Sequence, residues 1–222
     1  MSREEVHKKG KYYNIIDGTF RVTVPKDHPE AEERQWEASD GTKGTKYERV
    51  VHALFGTIKS IAFHDGQYGK TVQIILDENE DGDAPIVSFG TSSRYGEDFL
   101  KRLPSIKLDE EVKFYPFTFT PEGKDKEVSG LALFHKDNEG KFTVKIPNYF
   151  VDQEAKKPTN GYPTPEGDTS TFDSDDWKAF YIKARKFLIK YAEENVIPKI
   201  ATTTKKTIEY PEMDINPDDI PF

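Results

Sequence analysis

The sequence predicts a mainly β fold that carries an N-terminal hairpin and one long C-terminal helix. Three observations lead to this prediction. The pair Asp17-Gly18 separates two runs of β-branched and aromatic residues, which is typical of a hairpin. Short runs of the same composition, separated by turn residues, fill residues 45–150. Apolar residues then recur at the three-and-four spacing of a helix within residues 173–199.

The N-terminal part, residues 1–44, is expected to hold the hairpin and an acidic loop. The two hairpin strands lie within residues 11–25, one on each side of the Asp17-Gly18 turn. Residues 26–44 are acidic and rich in turn residues, and Trp36 has no periodic apolar neighbours there. We therefore expect a surface loop between the hairpin and the main β unit.

The central part, residues 45–150, is predicted to form a Greek-key barrel. The run at 47–63 is a long first strand, and Gly56 within it indicates a bulge or a sharp bend. Ser93 is the expected N-cap of a short helix that ends near Pro104. The remaining strands are expected at 70–77, 84–89, 111–120, 128–135 and 140–146. This order of strands and helix is that of the OB-fold, and another small β-barrel is the alternative.

The C-terminal part is predicted to contain a linker, a helix and a tail. Residues 151–172 are rich in Pro, Gly and charge and are interpreted as a linker or wrapping loop. The amphipathic helix at 173–199 begins at Asp173 or Ser174 and has an aromatic stripe, which we expect to pack on the barrel or, alternatively, between subunits. Residues 200–222 are expected to form a flexible acidic tail.

The composition excludes several classes of function. The chain has no Cys, which excludes disulfides, thiolate nucleophiles and cysteine zinc sites. Its five His are scattered without metal-ligand spacing, and its carboxylates cluster in loops and in the tail, so we expect no enzyme, no cofactor and no metal. No apolar run approaches the roughly 18 residues of a membrane span, so we expect a soluble, cytoplasmic protein that binds no membrane.

The charge of the chain is segregated along the sequence. The formal net charge is −8, from 40 Asp and Glu against 32 Lys and Arg. Residues 77–83 and 209–222 each hold five acids and no base, whereas residues 41–76 hold five bases and two acids. This pattern is typical of a basic face with acidic extensions.

The last ten residues read Met-Asp-Ile-Asn-Pro-Asp-Asp-Ile-Pro-Phe. Acids followed by Ile-Pro-Phe suit a partner that has a basic rim and an apolar pocket, and a final Phe that bears the α-carboxylate makes the recognition specific for a chain end. The partner-binding residues predicted from this pattern are Asp218, Asp219, Ile220, Pro221 and Phe222.

This tail resembles the acidic tip of bacterial and phage single-stranded-DNA-binding proteins, which typically end in Asp-Asp-Ile-Pro-Phe. Residues 218–222 match in full, whereas Asn216-Pro217 depart from the usual run of acids. Residues 47–135 resemble the phage proteins more loosely, through Tyr68-Gly69-Lys70 and the helix end at 99–104. The N-terminal hairpin and the helix that contains Trp177 depart from the standard bacterial protein, so a bacterial-style tetramer is not implied.

The resemblance implies a monomer or small homo-oligomer in the cytoplasm, or the host cytoplasm if it is phage-encoded. It implies that the chain binds single-stranded DNA without sequence specificity and recruits replication, recombination or repair proteins through its tail. The alternative is a protein-interaction scaffold whose tail docks on a partner and whose barrel binds no nucleic acid.

The strand at 111–120 carries the candidate nucleic-acid face. Val112 and Phe114 share one parity, whereas Lys113, Tyr115, Phe117 and Phe119 share the other, and only one parity fills the barrel. Stacking on aromatic rings and a basic groove is what sequence-tolerant binding of single strands requires. The predicted nucleic-acid-binding residues are Arg49, Phe55, Lys59, Tyr68, Lys70, Lys113, Tyr115, Phe117, Lys124 and Lys126. The alternative is that the rings pack on the hairpin or the C-terminal helix and that the lysines are only solvated.

Overall fold

The computed structural model describes residues 10–37, 41–66, 69–77 and 84–200, and it shows a mainly β protein with two sheets. The strands are β1 Lys11–Ile16, β2 Thr19–Thr23, β3 Glu32–Glu37, β4 Lys43–Val51, β5 Leu54–Gly56, β6 Ile58–Gly66, β7 Gly69–Leu76, β8 Pro85–Gly90, β9 Val112–Phe119, β10 Val128–Lys136 and β11 Phe142–Lys145. The α-helices are α1 Arg94–Arg102 and α2 Ser174–Asn195, and short 3₁₀ turns lie at Leu103–Ser105 and Thr169–Thr171.

The strands form a seven-stranded sheet and a four-stranded sheet. The first has the order β3-β4-β2-β1-β8-β7-β6, and it is mixed because β1 pairs with β8 in parallel. The second has the order β11-β10-β9-β5, and all its pairs are antiparallel. The mainly β class and the C-terminal helix are therefore confirmed. Closure of a Greek-key barrel is not observed among the described strands, since each sheet ends in two different edge strands.

The predicted N-terminal hairpin is confirmed, and it lies inside the larger sheet. Strands β1 and β2 pair antiparallel around Asp17 and Gly18, whose φ angles of 49° and 72° match the left-handed turn that two-residue hairpins favour. Strand β1 continues the sheet toward β8, and β2 continues it toward β4. The hairpin therefore contributes to the core through Tyr13, Phe20 and Val22, which are all buried.

The prediction that residues 26–44 form only a surface loop is wrong. Strand β3 lies in this segment and pairs antiparallel with β4 at the edge of the seven-stranded sheet. Trp36 stands opposite Gly44, where a Cβ atom would lie 2.7 Å from the indole ring. Almost every residue of β3 is exposed, so the strand has no apolar alternation that reveals it in the sequence.

The long first strand is divided into three strands that belong to two sheets. The chain leaves the seven-stranded sheet after β4, pairs with β9 through β5, and returns to the larger sheet as β6. Gly56, at the end of β5, has a φ angle of 155°, as its position in a bend suggests. Phe55 is thereby separated from Arg49 and Lys59, which the sequence places on the same strand.

The other strands and the short helix follow the predicted pattern. Val72, Ile74 and Leu76 are all fully buried on one face of β7. Ser93 caps α1, because its hydroxyl accepts a hydrogen bond from the Gly96 amide. Phe99 on this helix is fully buried against both sheets, with ring centroids 5.8 Å from Phe89 and 6.3 Å from Phe114.

Helix α2 begins with a capping box and packs on the molecule through its second half. Asp173 accepts hydrogen bonds from the amides of residues 175 and 176, and its own amide donates to the Asp176 carboxylate. Ala184, Leu188 and Ala192 are buried. The aromatic stripe is only partly buried: Phe187 and Tyr191 in the second half pack partly buried against the core, whereas Tyr181 in the first half is 49% exposed.

A buried ion cluster links β3 to β4 and gives a first prediction. Glu48 is 2% exposed, and its carboxylate lies 2.7 Å from Arg34 Nε and 2.6 Å from Lys46 Nζ. Burial alone raises the pKa of Glu48, but the hydrogen bonds and charges of Arg34 and Lys46 outweigh burial and hold this pKa below its ordinary value. The unfolded state therefore binds the proton more readily than the folded state does.

Glu48 is expected to stabilise the fold above its unfolded pKa, about 4.3, and to lose this effect as the pH falls through its lower folded pKa. We expect Glu48→Gln to lower the free energy of unfolding by about 1–3 kcal/mol at pH 7. Below pH about 4, the free energy of unfolding should decrease less steeply with falling pH in this variant than in wild type. Urea unfolding at several pH values measures both effects. Glu37→Gln, at an exposed pair with Lys43, is the control, and equal pH profiles for the two variants would contradict the prediction.

Candidate nucleic-acid interface

One face of the four-stranded sheet collects aromatic side chains. Along β9, Val112, Phe114 and Pro116 are buried in the core, so the alternate residues point to the other face. The same parity on β10 and β5 adds Phe134 and Phe55, which stand on either side of Lys113. We call the following residues the aromatic face: Phe55, Lys113, Tyr115, Phe117, Phe119, Phe134 and Phe142.

The sheet curves toward this face. Phe55 is on β5 and Phe142 is on β11, which are the two edge strands. Edge strands of a flat four-stranded sheet lie about 14 Å apart, yet the two ring centroids are 5.0 Å apart. The aromatic face is therefore concave, which is the shape that a groove for an extended ligand requires.

Lys113 lies at the centre of the rings. Its Nζ atom is 5.4 Å from the ring centroid of Tyr115, 5.8 Å from that of Phe134 and 5.9 Å from that of Phe55. At such distances a ring attracts a cation. No carboxylate of the described residues forms an ion pair with Lys113, so its charge is available to an anionic ligand.

The strands of this sheet carry positive charge only. Lys113 on β9, Lys136 on β10 and Lys145 on β11 are their charged residues, and none of the four strands contains Asp or Glu. Lys136 lies 5.2 Å from the Phe142 ring centroid and also pairs with Glu111, just before β9. The net charge of the chain is negative, so this surface is a local exception.

Several rings of the aromatic face are open to solvent. Phe55 is 46% exposed, Tyr115 is 41% exposed and Phe119 is 52% exposed. Contiguous exposed apolar surface of this kind marks interaction sites in soluble proteins. Rings that do not fill the core are free to stack on a planar ligand.

The predicted nucleic-acid residues divide into two groups. Phe55, Lys113, Tyr115 and Phe117 meet on the aromatic face, as the sequence predicts. Lys124 and Lys126 are exposed in the loop between β9 and β10, together with Glu122, Asp125 and Glu127. That loop therefore has no excess of positive charge.

The structure does not bring Arg49, Lys59 and Lys70 to the aromatic face. They lie on β4, β6 and β7 of the seven-stranded sheet. Arg49 lies 3.6 Å from a carboxylate oxygen of Glu30, and Lys70 lies 3.6 Å from that of Asp65. Tyr68 and the partner-binding residues 218–222 lie outside the described residues.

Phe119, Phe134 and Phe142 belong to the aromatic face but are not among the predicted nucleic-acid-binding residues. Strand β10 is apolar on both faces, with Leu131 and Leu133 on one and Ala132 and Phe134 on the other, so its pattern does not separate core from surface. Strand register could have identified Phe134, because the hairpin that joins β9 to β10 places Phe134 opposite Lys113.

Neither a metal-binding cluster nor a membrane-spanning helix is found among the described residues. They contain no group of three or more His, Asp or Glu side chains that could hold a metal ion. No helix in the described part of the chain is long and apolar enough to cross a membrane. The aromatic face is a surface of rings and lysines.

In comparisons with known proteins, no family model, curated protein or solved structure matches this chain.

Proposed function

We propose that this protein binds and protects single-stranded DNA, without sequence specificity, on the aromatic face. The observation that carries the proposal is a concave sheet surface on which exposed rings lie close to Lys113, a residue that forms no ion pair within the described part of the chain. Every base has a flat π-face, so stacking tolerates any sequence, and lysines attract the phosphates between the bases.

The form of the surface favours a single strand over a duplex. Rings stack only on bases whose faces are accessible, and in a duplex those faces are covered by neighbouring base pairs. A concave sheet lined by rings presents no helix to enter a major groove. The ligand that fits is an unpaired, extended strand.

The order of strands and helix resembles that of the OB-fold, which supports the same function. The chain runs through β6, β7 and β8, then α1, then β9 and β10, which is the element order of an OB barrel. In this proposal the two sheets are an opened form of that barrel, into which the N-terminal hairpin is inserted beside β8.

The tail has a separate proposed role. By its resemblance to single-stranded-DNA-binding proteins, residues 218–222 recruit replication, recombination or repair proteins. Phe222→Ala should remove capture of such proteins from a lysate and leave DNA binding within twofold of wild type, roughly the noise of additive distant changes. Capture that survives this substitution would refute the role of the tail.

The test of DNA binding is a titration of the full chain with oligo(dT), monitored by intrinsic fluorescence. We expect saturable binding that a duplex of equal length does not reproduce. Binding to neither ligand would refute the proposal, and tail-dependent capture of a partner in that case would favour the scaffold function. Equal binding to duplex would refute the stacking model.

Salt dependence provides a prediction for Lys113. Neutralising one phosphate contributes about −0.7 to the slope of log K against log salt for single strands. Lys113→Met should therefore make the slope shallower by about that amount, since it removes one charge without emptying the site. Lys107→Met, at an exposed pair with Glu110 outside the aromatic face, is the control. Equal slopes for the two variants would show that Lys113 contacts no phosphate.

A further inference from the structure

A pocket lies between the start of α1 and the middle of α2, away from the four-stranded sheet. Its cavity has a volume of about 280 Å³, and none of its lining residues belongs to β5, β9, β10 or β11. Tyr162, Tyr181, Ala184 and Leu188 form its apolar wall. This volume is just below the usual range of small-molecule sites, about 300–1,000 Å³, and suits one or two apolar side chains.

The rim of this helix pocket is mainly basic. Arg94 and Arg185 line it, and the Arg94 side chain is 72% exposed. Glu97 is the acid at the rim, and its carboxylate is engaged by Lys101 on one side and by Arg94 at 3.6 Å on the other. Arg94 and Lys101 share this one carboxylate, and Arg185 also lines the pocket, so the rim has positive charge in excess for an acidic ligand.

A shallow groove extends the helix pocket along α2. A second cavity, of about 530 Å³, shares Tyr181 and Arg185 with the first and reaches Trp177 and Ile182. Tyr181 and Ile182 are 49% and 40% exposed. The ring of Trp177 stacks on that of Tyr181, with centroids 6.0 Å apart. The combined surface is an apolar groove with basic margins, which is the form that a short acidic and apolar peptide fits.

We propose that residues 213–222 of this chain dock in the helix pocket and its groove. This segment combines acids with apolar side chains, because Asp218 and Asp219 directly precede Ile220 and Phe222. The two acids match Arg94 and Arg185, and the Phe222 ring matches the wall that Tyr162 and Leu188 form.

The chain is long enough to make this contact within one molecule. The described part ends at Ile200, just beyond Val196, and both residues are buried where α2 ends. Twelve helical residues separate Ala184 from Val196, a length of about 18 Å. Residues 201–212 span up to about 40 Å when extended, so residues 213–222 reach the pocket in the same chain.

The docked segment and DNA occupy different surfaces. A tethered segment has an effective concentration of order millimolar, so even a weak contact holds it in place until a partner protein captures it. Because the helix pocket shares no residue with the aromatic face, DNA does not displace the segment. This inference concerns tail docking and does not depend on DNA binding.

The test uses the full chain with Ile220→Ser and Phe222→Ser, so that its own tail no longer fills the pocket. A fluorescent peptide of residues 213–222 is added, and binding is followed by anisotropy. We expect saturable binding that Arg185→Glu weakens about fivefold to tenfold, a change of roughly 1 kcal/mol for each exposed ion pair. Lys186→Glu, at the next and exposed residue of α2, is the matched control and should leave affinity unchanged.

Two outcomes would overturn the proposal. The first is that the peptide does not bind, or that Arg185→Glu and Lys186→Glu weaken peptide affinity equally while circular dichroism shows that both variants are folded. The second is displacement of the peptide by oligo(dT) together with loss of peptide binding in Phe55→Ala/Tyr115→Ala, which would place the segment on the aromatic face. Failure of the chain to bind oligo(dT) would refute the proposed function and leave the peptide result standing.

Discussion

Replacing both Phe55 and Tyr115 by Ala is expected to weaken oligo(dT) binding by about 2–6 kcal/mol, because each stacked base contributes about 1–3 kcal/mol. In affinity this is a loss of about thirtyfold or more. Both rings are open to solvent, and their centroids lie 5.9 Å and 5.4 Å from the Lys113 Nζ atom. Their removal takes away stacking surface at the centre of the aromatic face.

The double variant should remain folded. Phe55 and Tyr115 are 46% and 41% exposed, so their truncation leaves no large cavity in the core. Phe117 is a poorer choice for this test, because its ring lies against Gly130, where a Cβ atom would come within 2.7 Å of it. Truncation of Phe117 would therefore combine a packing effect with any effect on DNA.

Tyr12→Ala is the control for this variant. Tyr12 is 57% exposed, but it lies on β1 of the seven-stranded sheet. Affinity for oligo(dT) and the thermal midpoint should both stay close to wild type. If Tyr12→Ala weakens binding as much as the double variant does, the DNA site lies on the larger sheet and the aromatic face is not the interface.

Local patterns in the sequence were sufficient to predict individual elements. The period of two in β7 and β9, the Ser93 and Asp173 caps and the Asp17-Gly18 turn all depend on neighbouring residues, and the structure confirms each of them. The parity of β9 also selected Lys113, Tyr115 and Phe117 as residues outside the core. Such features are fixed within a few residues of chain.

Pairing between distant strands could not be predicted in the same way. Gly56 indicates a bend, but nothing local indicates that β5 pairs with β9 in the other sheet, or that β1 pairs with β8 in parallel. These choices depend on which apolar faces meet in the folded core. The sequence therefore predicts Arg49 and Lys59 on the strand that contains Phe55, whereas the structure places them on the seven-stranded sheet.

The candidate site was predictable to the extent that it lies on β9. Phe134 and Phe142 join it only through the register of β10 and the curvature of the sheet, which composition does not encode. The tail is a different case. Its proposed role rests on the resemblance of residues 218–222 to the tip of single-stranded-DNA-binding proteins, and its residues lie outside the described part of the chain.

Phe99→Ala should produce the largest loss of stability, about 3–5 kcal/mol, because it empties a fully buried position. The Phe99 ring joins α1 to Phe89 of the seven-stranded sheet and to Phe114 of the four-stranded sheet. For a domain of this size the loss corresponds to a fall of about 6–20 °C in Tm. Urea and thermal unfolding measure both quantities.

Phe119→Ala is the matched control, since it removes a ring of the same size from a position that is 52% exposed. Its stability should stay within about 0.5 kcal/mol of wild type. The effects on DNA affinity should be the reverse. Phe119→Ala should weaken DNA binding, whereas Phe99→Ala, measured well below its Tm, should leave the affinity of the folded protein near wild type. Equal Tm values for the two variants would show that Phe99 does not join the sheets. A larger loss of DNA affinity in Phe99→Ala than in Phe119→Ala would show that the aromatic face depends on the packing of α1 behind it.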